Sequence, residues 1–80
     1  MIFKPKARVE MKDGMRFVVL DIKKYEGREV ALVQGIEDGV LRFAVEEINA
    51  KEKTARLVFI EDQKLINAIA TEFDRQDGKL

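Results

Sequence analysis

Polar and apolar residues alternate in short stretches over the first 60 positions, which is the pattern of half-buried β-strands. Turns rich in glycine and aspartate separate the stretches, and Asp13-Gly14 and Asp38-Gly39 are typical reversal signals. The predicted strands cover residues 6–11, 15–24, 29–34, 40–48 and 54–60. Because short turns join antiparallel neighbours, the pattern predicts an antiparallel sheet.

The chain is organised around a predicted hairpin over residues 15–36, with its turn at Glu26-Gly27. Its first strand is apolar on both faces, with Phe17 and Val19 on one and Val18, Leu20 and Ile22 on the other. A strand that is apolar on both faces is usually central and covered on both sides. We therefore expect this strand to lie at the centre of the sheet.

The sequence pattern also makes predictions for the first, third and fourth strands. Ala7, Val9 and Met11 are predicted to point inward from the first strand. The fourth strand is predicted to have one solvent-exposed face, which carries Val40, Arg42, Ala44 and Glu46. Gly35, at the end of the third strand, predicts a bulge or a bend.

From Asp62 onward the apolar period changes to that of a helix, because one stripe carries Leu65, Ile66, Ile69, Ala70 and Phe73. Asp62 is the expected N-cap, the helix is predicted to run from residue 62 or 63 to about residue 75, and the last residues are expected to be frayed. The predicted fold is α+β and mainly β, in one domain over residues 1–80. It is a five-stranded antiparallel meander or a small half-open barrel with one C-terminal helix.

The inventory of reactive side chains is short: the chain has no histidine, cysteine, serine or tryptophan. Serine and cysteine triads and imidazole or thiolate metal sites are therefore excluded within the chain. Three carboxylate pairs remain, but none has the spacing of a calcium loop: Glu37-Asp38, Glu46-Glu47 and Glu61-Asp62. We expect a protein that is not an enzyme, with no catalytic residue, no cofactor and no metal site.

Unbroken apolar runs, such as residues 17–20, are far too short to span a bilayer, and residues 1–6 do not have the pattern of a signal peptide. The lack of cysteine is consistent with a reducing compartment. We therefore expect a cytoplasmic protein that does not bind a membrane.

Charge is balanced overall but uneven along the chain. Residues 1–24 contain seven basic and three acidic residues, and the remainder contains eight basic and twelve acidic ones. A basic segment on a small β framework is one signature of nucleic-acid binding. The residues that would make such contacts are Lys4, Lys6, Arg8, Lys12, Arg16 and Tyr25, and Tyr25 is the one aromatic residue expected to be exposed.

The order DGMRFVVLDIKKYEGREVALVQ, a polar break and then ARLVFIEDQKLINAIATEF resembles the small YrzB-like bacterial domains of unknown function. In those domains an Asp-Gly turn, a strand, a Tyr-x-Gly turn, another strand and an I-E-D entry to a final helix follow in this order. The resemblance covers residues 13–73. It implies a non-enzymatic bacterial cytoplasmic domain and transfers no functional residue.

Two functions follow from these observations. The first is a non-catalytic protein-interaction domain with an unknown partner, which could be a second copy bound through an edge strand to form a homodimer. The alternative is a small β-barrel that binds nucleic acid through its basic N-terminal third.

Overall fold

A computed structural model describes residues 2–77 and contains the predicted five strands and helix in the predicted order. The elements are β1 (Arg8–Glu10), β2 (Arg16–Tyr25), β3 (Arg28–Gly35), β4 (Leu41–Asn49), β5 (Thr54–Phe59) and α1 (Gln63–Asp77). The α+β fold class, mainly β, is confirmed. The end of the tail predicted to be frayed, residues 78–80, lies outside the described residues.

The sheet is a meander in which every strand is antiparallel to the next, in the order β1-β2-β3-β4-β5. It curls into a half-barrel, so the strand order of the predicted meander and the shape of the predicted half-open barrel are both found. The middle strand is β3 and not β2, so the predicted central position of β2 is wrong. The strand β2 is the longest, but β1 covers only its first part.

The inner face of the curled sheet holds the larger core. Its buried residues are Phe17, Val19, Ala31, Val33, Ala44 and Leu57, and the residues that pack against them include Phe3, Ala7, Val9, Met11, Ile22 and Phe59. The predicted inward orientation of the apolar residues on β1 is therefore confirmed.

The helix covers part of the outer face. Its residues Ile69 and Phe73 are buried against Val30, and the ring of Phe73 meets that of Phe43 edge to face at 5.0 Å. The predicted N-cap is confirmed, because Asp62 Oδ1 accepts hydrogen bonds from the backbone N–H of Lys64 at 2.9 Å and of Leu65 at 3.4 Å.

A β-bulge at Leu20 changes which residues of β2 face inward. Val19 pairs with Val33 and Asp21 pairs with Leu32, so Leu20 has no partner of its own. The extra residue reverses the alternation after it, and Ile22 therefore joins the inner core. The prediction that Ile22 shares a face with Val18 is wrong for this reason.

The prediction that this face of β4 is exposed to solvent is also wrong. Ala44 is fully buried on the inner face, and the Arg42 guanidinium lies 5.5 Å from the ring centroid of Phe17 and 5.6 Å from that of Phe59. The guanidinium itself therefore covers the two rings, with Nη2 3.5 Å from Asp38 Oδ2 and Nη1 buried without a hydrogen-bond partner among the described residues.

Gly35 ends β3 directly before the turn, and the bulge predicted there as one of two alternatives is not found. Gly35 pairs in register with Phe17, and the bulge lies at Leu20 instead. The β3–β4 turn folds the carboxylate of Asp38 onto the α-carbon of Gly35, where any larger residue would place its β-carbon. A glycine is favoured here by the close approach of the Asp38 carboxylate and not by a bulge.

Candidate protein-interaction surface

The two edge strands of the half-barrel, β1 and β5, lie on opposite sides of a groove of about 620 Å³, which we call the edge groove. Its floor is apolar and includes Phe3, Val9, Met11 and Leu57. Its rim is charged and is formed by Glu10, Lys12, Asp13 and Arg56. The groove exists because the curl brings the first and last strands near each other while the sheet order leaves them unpaired.

The backbone of β5 has hydrogen-bonding groups that point into the edge groove. Ile60 N–H donates to the Phe43 carbonyl at 2.9 Å, which fixes the phase of the β4–β5 ladder. Since hydrogen-bonded pairs alternate along an antiparallel ladder, the N–H and C=O groups of Ala55, Leu57 and Phe59 point away from β4. The edge of β5 therefore offers donors and acceptors next to an apolar floor.

The edge of β1 has the same property over a shorter length. Val19 N–H donates to the Ala7 carbonyl at 2.8 Å and Met11 N–H donates to the Met15 carbonyl at 2.8 Å, so Ala7, Val9 and Met11 bond to β2. The same alternation directs the backbone groups of Arg8 and Glu10 outward.

The segment before β1 supplies part of the floor. Phe3 packs against the inner core, and Ile2 N–H donates to Glu46 Oε2 at 2.9 Å. Ala7 N–H donates to the Lys4 carbonyl at 3.0 Å, which closes a turn before the strand. This segment crosses from β1 towards β4 and places an aromatic ring in the edge groove.

The cations predicted from the sequence are only partly brought together. Lys4, Lys6, Arg8 and Lys12 are exposed on β1 or in the segments beside it, and Lys12 lines the edge groove. Arg16 instead forms an ion pair with Glu37, with Nε donating at 2.7 Å, and this hydrogen bond lowers the pKa of the Glu37 carboxyl. Its charge is therefore already partnered within the chain.

Tyr25 lies apart from those cations. It ends β2, nine residues after Arg16, which is about 30 Å of strand. It is half-buried and packs on the outer core with Val30, Ile69 and Phe73, so the expected exposure of this ring is not found. All six aromatic residues of the chain are buried or half-buried.

The three carboxylate pairs have structural partners. Asp38 Oδ1 accepts the Val40 N–H at 2.9 Å, which lowers the pKa of the Asp38 carboxyl. Glu46 and Glu47 point to opposite faces, as expected for neighbours on a strand, and Glu47 accepts a hydrogen bond from Arg56 Nε at 2.9 Å. Within residues 2–77, no three carboxylates converge as metal ligands would.

A second depression, of about 420 Å³, lies on the outer face beside α1, where Leu32, Leu41, Ile66 and Ala70 are among its lining residues. Leu41 is 56% exposed there. The strands β3 and β4 that line this depression have no free edge, because each is paired on both sides. The edge groove is therefore the better candidate for recognition.

Sequence reasoning did not single out Phe3, Arg56 or Leu57, which help to form the edge groove. The only sequence signal for these residues is that the first and last strands of an open meander each keep an unpaired edge. Whether those edges meet depends on curl, which the sequence pattern does not encode.

No protein-family model, curated protein or solved structure matches this chain. The resemblance to the YrzB-like domains therefore stays a prediction. Over the residues that the structure describes, α1 is the one helix, and it is too short and too polar to cross a membrane.

Proposed function

We propose that this protein is a non-catalytic interaction domain that binds an extended segment of a partner protein in the edge groove. The segment would be held as an added β-strand, with backbone hydrogen bonds to an edge and alternate side chains on the apolar floor. The observation that carries the proposal is the outward backbone of Ala55, Leu57 and Phe59 beside that floor. Unpaired strand edges are the usual template for this kind of pairing.

The size of the groove limits the segment to a short one. Six residues form β5, which corresponds to about 20 Å of extended chain. The apolar floor is made by side chains of the inner face, so every second residue of the segment would face it. We therefore expect recognition of about six residues with apolar side chains at alternate positions.

The homodimer is a special case in which the segment comes from a second copy. It would use the same edges, so self-pairing would compete with any other occupant. Light scattering at rising protein concentration separates the two forms, because only the homodimer changes mass without an added peptide.

Nucleic acid ranks second as a partner. It is favoured by the exposed cations Lys4, Lys6, Arg8 and Lys12, which provide phosphate contacts. However, single-strand binders stack bases on exposed aromatic rings, and the six aromatic residues here are buried or half-buried.

Selection of random peptides from a phage-displayed library tests the proposal. Peptides that bind the wild type are measured again on Ala55→Pro, which lacks the outward N–H of β5, and on Ala55→Ser, which keeps it. Proline at an outward edge position leaves the β4–β5 ladder intact. We expect the proline variant to bind about 2–10-fold more weakly, the value of one hydrogen bond, and the serine variant to bind normally.

Circular dichroism of both variants controls for folding. The proposal is wrong if no selected peptide binds the folded protein. It is also wrong if the folded proline variant binds the peptides as well as the serine variant does.

A further inference from the structure

We infer that the segment bound in the edge groove pairs with both edges at once and runs antiparallel to β1 and to β5. One strand added to the five of the sheet would close the half-barrel. The partner is therefore a free extended chain and not the edge of a folded sheet. This inference rests on the proposed function and adds the direction and the kind of segment that binds.

The two edge strands run in the same direction. Each of the five strands is antiparallel to the next, so β1, β3 and β5 run one way and β2 and β4 run the other. The two edges therefore cannot close the sheet as an antiparallel pair. A single added strand of the opposite direction is antiparallel to both of them.

The curl of the sheet is that of a ring with one strand missing. If one strand is added to the five, β2 and β5 lie three positions apart and thus opposite each other in the ring. Phe17 of β2 and Phe59 of β5 already meet across the interior, with ring centroids 4.9 Å apart. Residues of β1 and β5 also line the same groove. The edge groove therefore lies where the missing strand of a small closed barrel would be.

The free backbone groups of the two edges alternate as a single added strand requires. On β5 they belong to Ala55, Leu57 and Phe59, whose side chains lie on the inner face. On β1 they belong to Arg8 and Glu10, whose side chains lie on the outer face. Opposite residues of paired strands point to the same face, and successive residues of one strand bond to opposite sides. The inward residues of the added strand would therefore bond to β5, and the outward residues between them would bond to β1.

A strand that bonds to both edges must itself have two free edges. Within residues 2–77, every strand of this protein is already paired on at least one side. A strand of a second copy could therefore pair with β1 or with β5 but not with both. The partner that fits is a chain terminus or an extended linker of another protein, which has no strand paired to it.

The charges that line the groove do not select a segment of one sign. They belong to Glu10, Lys12, Asp13 and Arg56, which are two acidic and two basic residues. Backbone pairing and the apolar floor therefore decide which segment binds, and its outward residues are polar residues of either charge.

Backbone methylation of a peptide tests the pairing on both sides. A peptide obtained from the library selection is synthesised in two forms, one N-methylated at its odd-numbered residues and the other at its even-numbered residues. Each form lacks the N–H donors of one side, which number at least two, since Arg8 and Glu10 present two carbonyls on β1. We expect both forms to bind at least about fourfold more weakly than the parent peptide, because each lost hydrogen bond weakens binding about 2–10-fold. If only one form is weakened, the segment pairs with a single edge, and the inference is overturned while the proposed function stands.

A matched pair of protein variants tests the β1 side separately. Glu10→Pro removes an outward N–H of β1, and Glu10→Ser keeps it. We expect the proline variant, if folded by circular dichroism, to bind the peptide about 2–10-fold more weakly than the serine variant. Equal binding by the two folded variants would overturn the inference. If the proline variant does not fold, the methylated peptides still decide, because they leave the protein unchanged.

A nitroxide label at either end of the same peptide gives the direction. In an antiparallel segment, an N-terminal label lies near Glu10 and Phe59, the last residues of β1 and β5, and broadens their amide resonances most strongly. A C-terminal label broadens those of Arg8 and Thr54. The reverse pattern would show a parallel segment and would overturn the inference. So would a dimer, seen by light scattering, that the peptide dissociates, because a second copy would then occupy an edge. If no selected peptide binds, the proposed function fails as well.

Discussion

Phe17 of β2 and Phe59 of β5 meet edge to face, with their ring centroids 4.9 Å apart. These strands are not neighbours, since β3 and β4 lie between them in the sheet. The contact therefore crosses the inside of the curl and joins the two ends of the half-barrel. The guanidinium of Arg42 lies over both rings and covers the contact.

Truncation of Phe59 should therefore open the half-barrel. We expect Phe59→Ala to lower the free energy of unfolding by about 3 kcal/mol, the lower end of the range for a core phenylalanine, because this side chain is only half-buried. Urea denaturation measures the change. A double-mutant cycle with Phe17→Leu and Phe59→Leu should show coupling of about 0.5–1.5 kcal/mol, and additive effects would show that the rings do not interact.

The bulge at Leu20 predicts that this residue can be removed without changing which residues face the core. Deletion of Leu20 would make the pairs Val19–Val33 and Asp21–Leu32 consecutive, so that Ile22 would still face inward and Asp21 outward. We expect the deletion variant to fold. Leu20→Ala should cost less than about 1 kcal/mol, because the side chain is 42% exposed. A deletion variant that is unfolded, as judged by circular dichroism, would contradict the register.

Gly35 and Asp38 should be energetically coupled. The carboxylate of Asp38 fills the space beside the α-carbon of Gly35 while it accepts the Val40 N–H. Gly35→Ala should displace that carboxylate and destabilise the protein by about 1 kcal/mol, the value of a hydrogen bond. The same change in an Asp38→Ala background should cost much less. An equal loss of stability in both backgrounds would mean that the alanine clashes with a group other than the Asp38 carboxylate.

Acid should destabilise the fold. Five carboxyl groups have pKa values below their usual ones of about 4: Asp21, Glu29, Glu37, Asp38 and Glu72. The leading cause is a hydrogen bond, from Lys23 for Asp21 and from Arg16 for Glu37. The folded state thus binds fewer protons than the unfolded state as these groups titrate, so stability is present above their usual pKa values and is lost as the pH falls through the lowered ones.

The chain has no histidine or cysteine, so none of its side chains has an ordinary pKa between about 5 and 8. Urea denaturation should therefore give nearly the same free energy of unfolding at pH 6 and pH 7.5, and a lower one at about pH 3. A protein that gains stability on acidification would contradict the assigned ion pairs.

Much of the fold could be predicted because its signals are local. Asp13-Gly14, Glu26-Gly27 and Asp38-Gly39 mark three turns, and the helical spacing after Asp62 marks α1 with its N-cap. These features depend on backbone conformations that a few neighbouring residues decide. The strand ends were accordingly found within a few residues of their predicted positions.

The wrong predictions concern features in which one residue, or the shape of the whole sheet, decides where distant side chains point. The extra residue at Leu20 reverses the facing of Ile22, and the curl of the sheet brings Arg42 over rings from two other strands. The edge groove was missed for the same reason. The twist between neighbouring strands adds up over all five strands, so no short stretch of sequence determines how close the two edge strands come to each other.

Amide hydrogen exchange at Leu57 tests the central claim most directly, that β5 is an open edge which receives a partner strand. The side chain of Leu57 is 3% exposed, yet its N–H points away from β4. We expect this amide to exchange much faster than those of Arg56 and Val58, and to become protected when a peptide selected for binding to the protein is bound. Strong protection of Leu57 in the protein alone, or none with the peptide at saturation, would contradict the account.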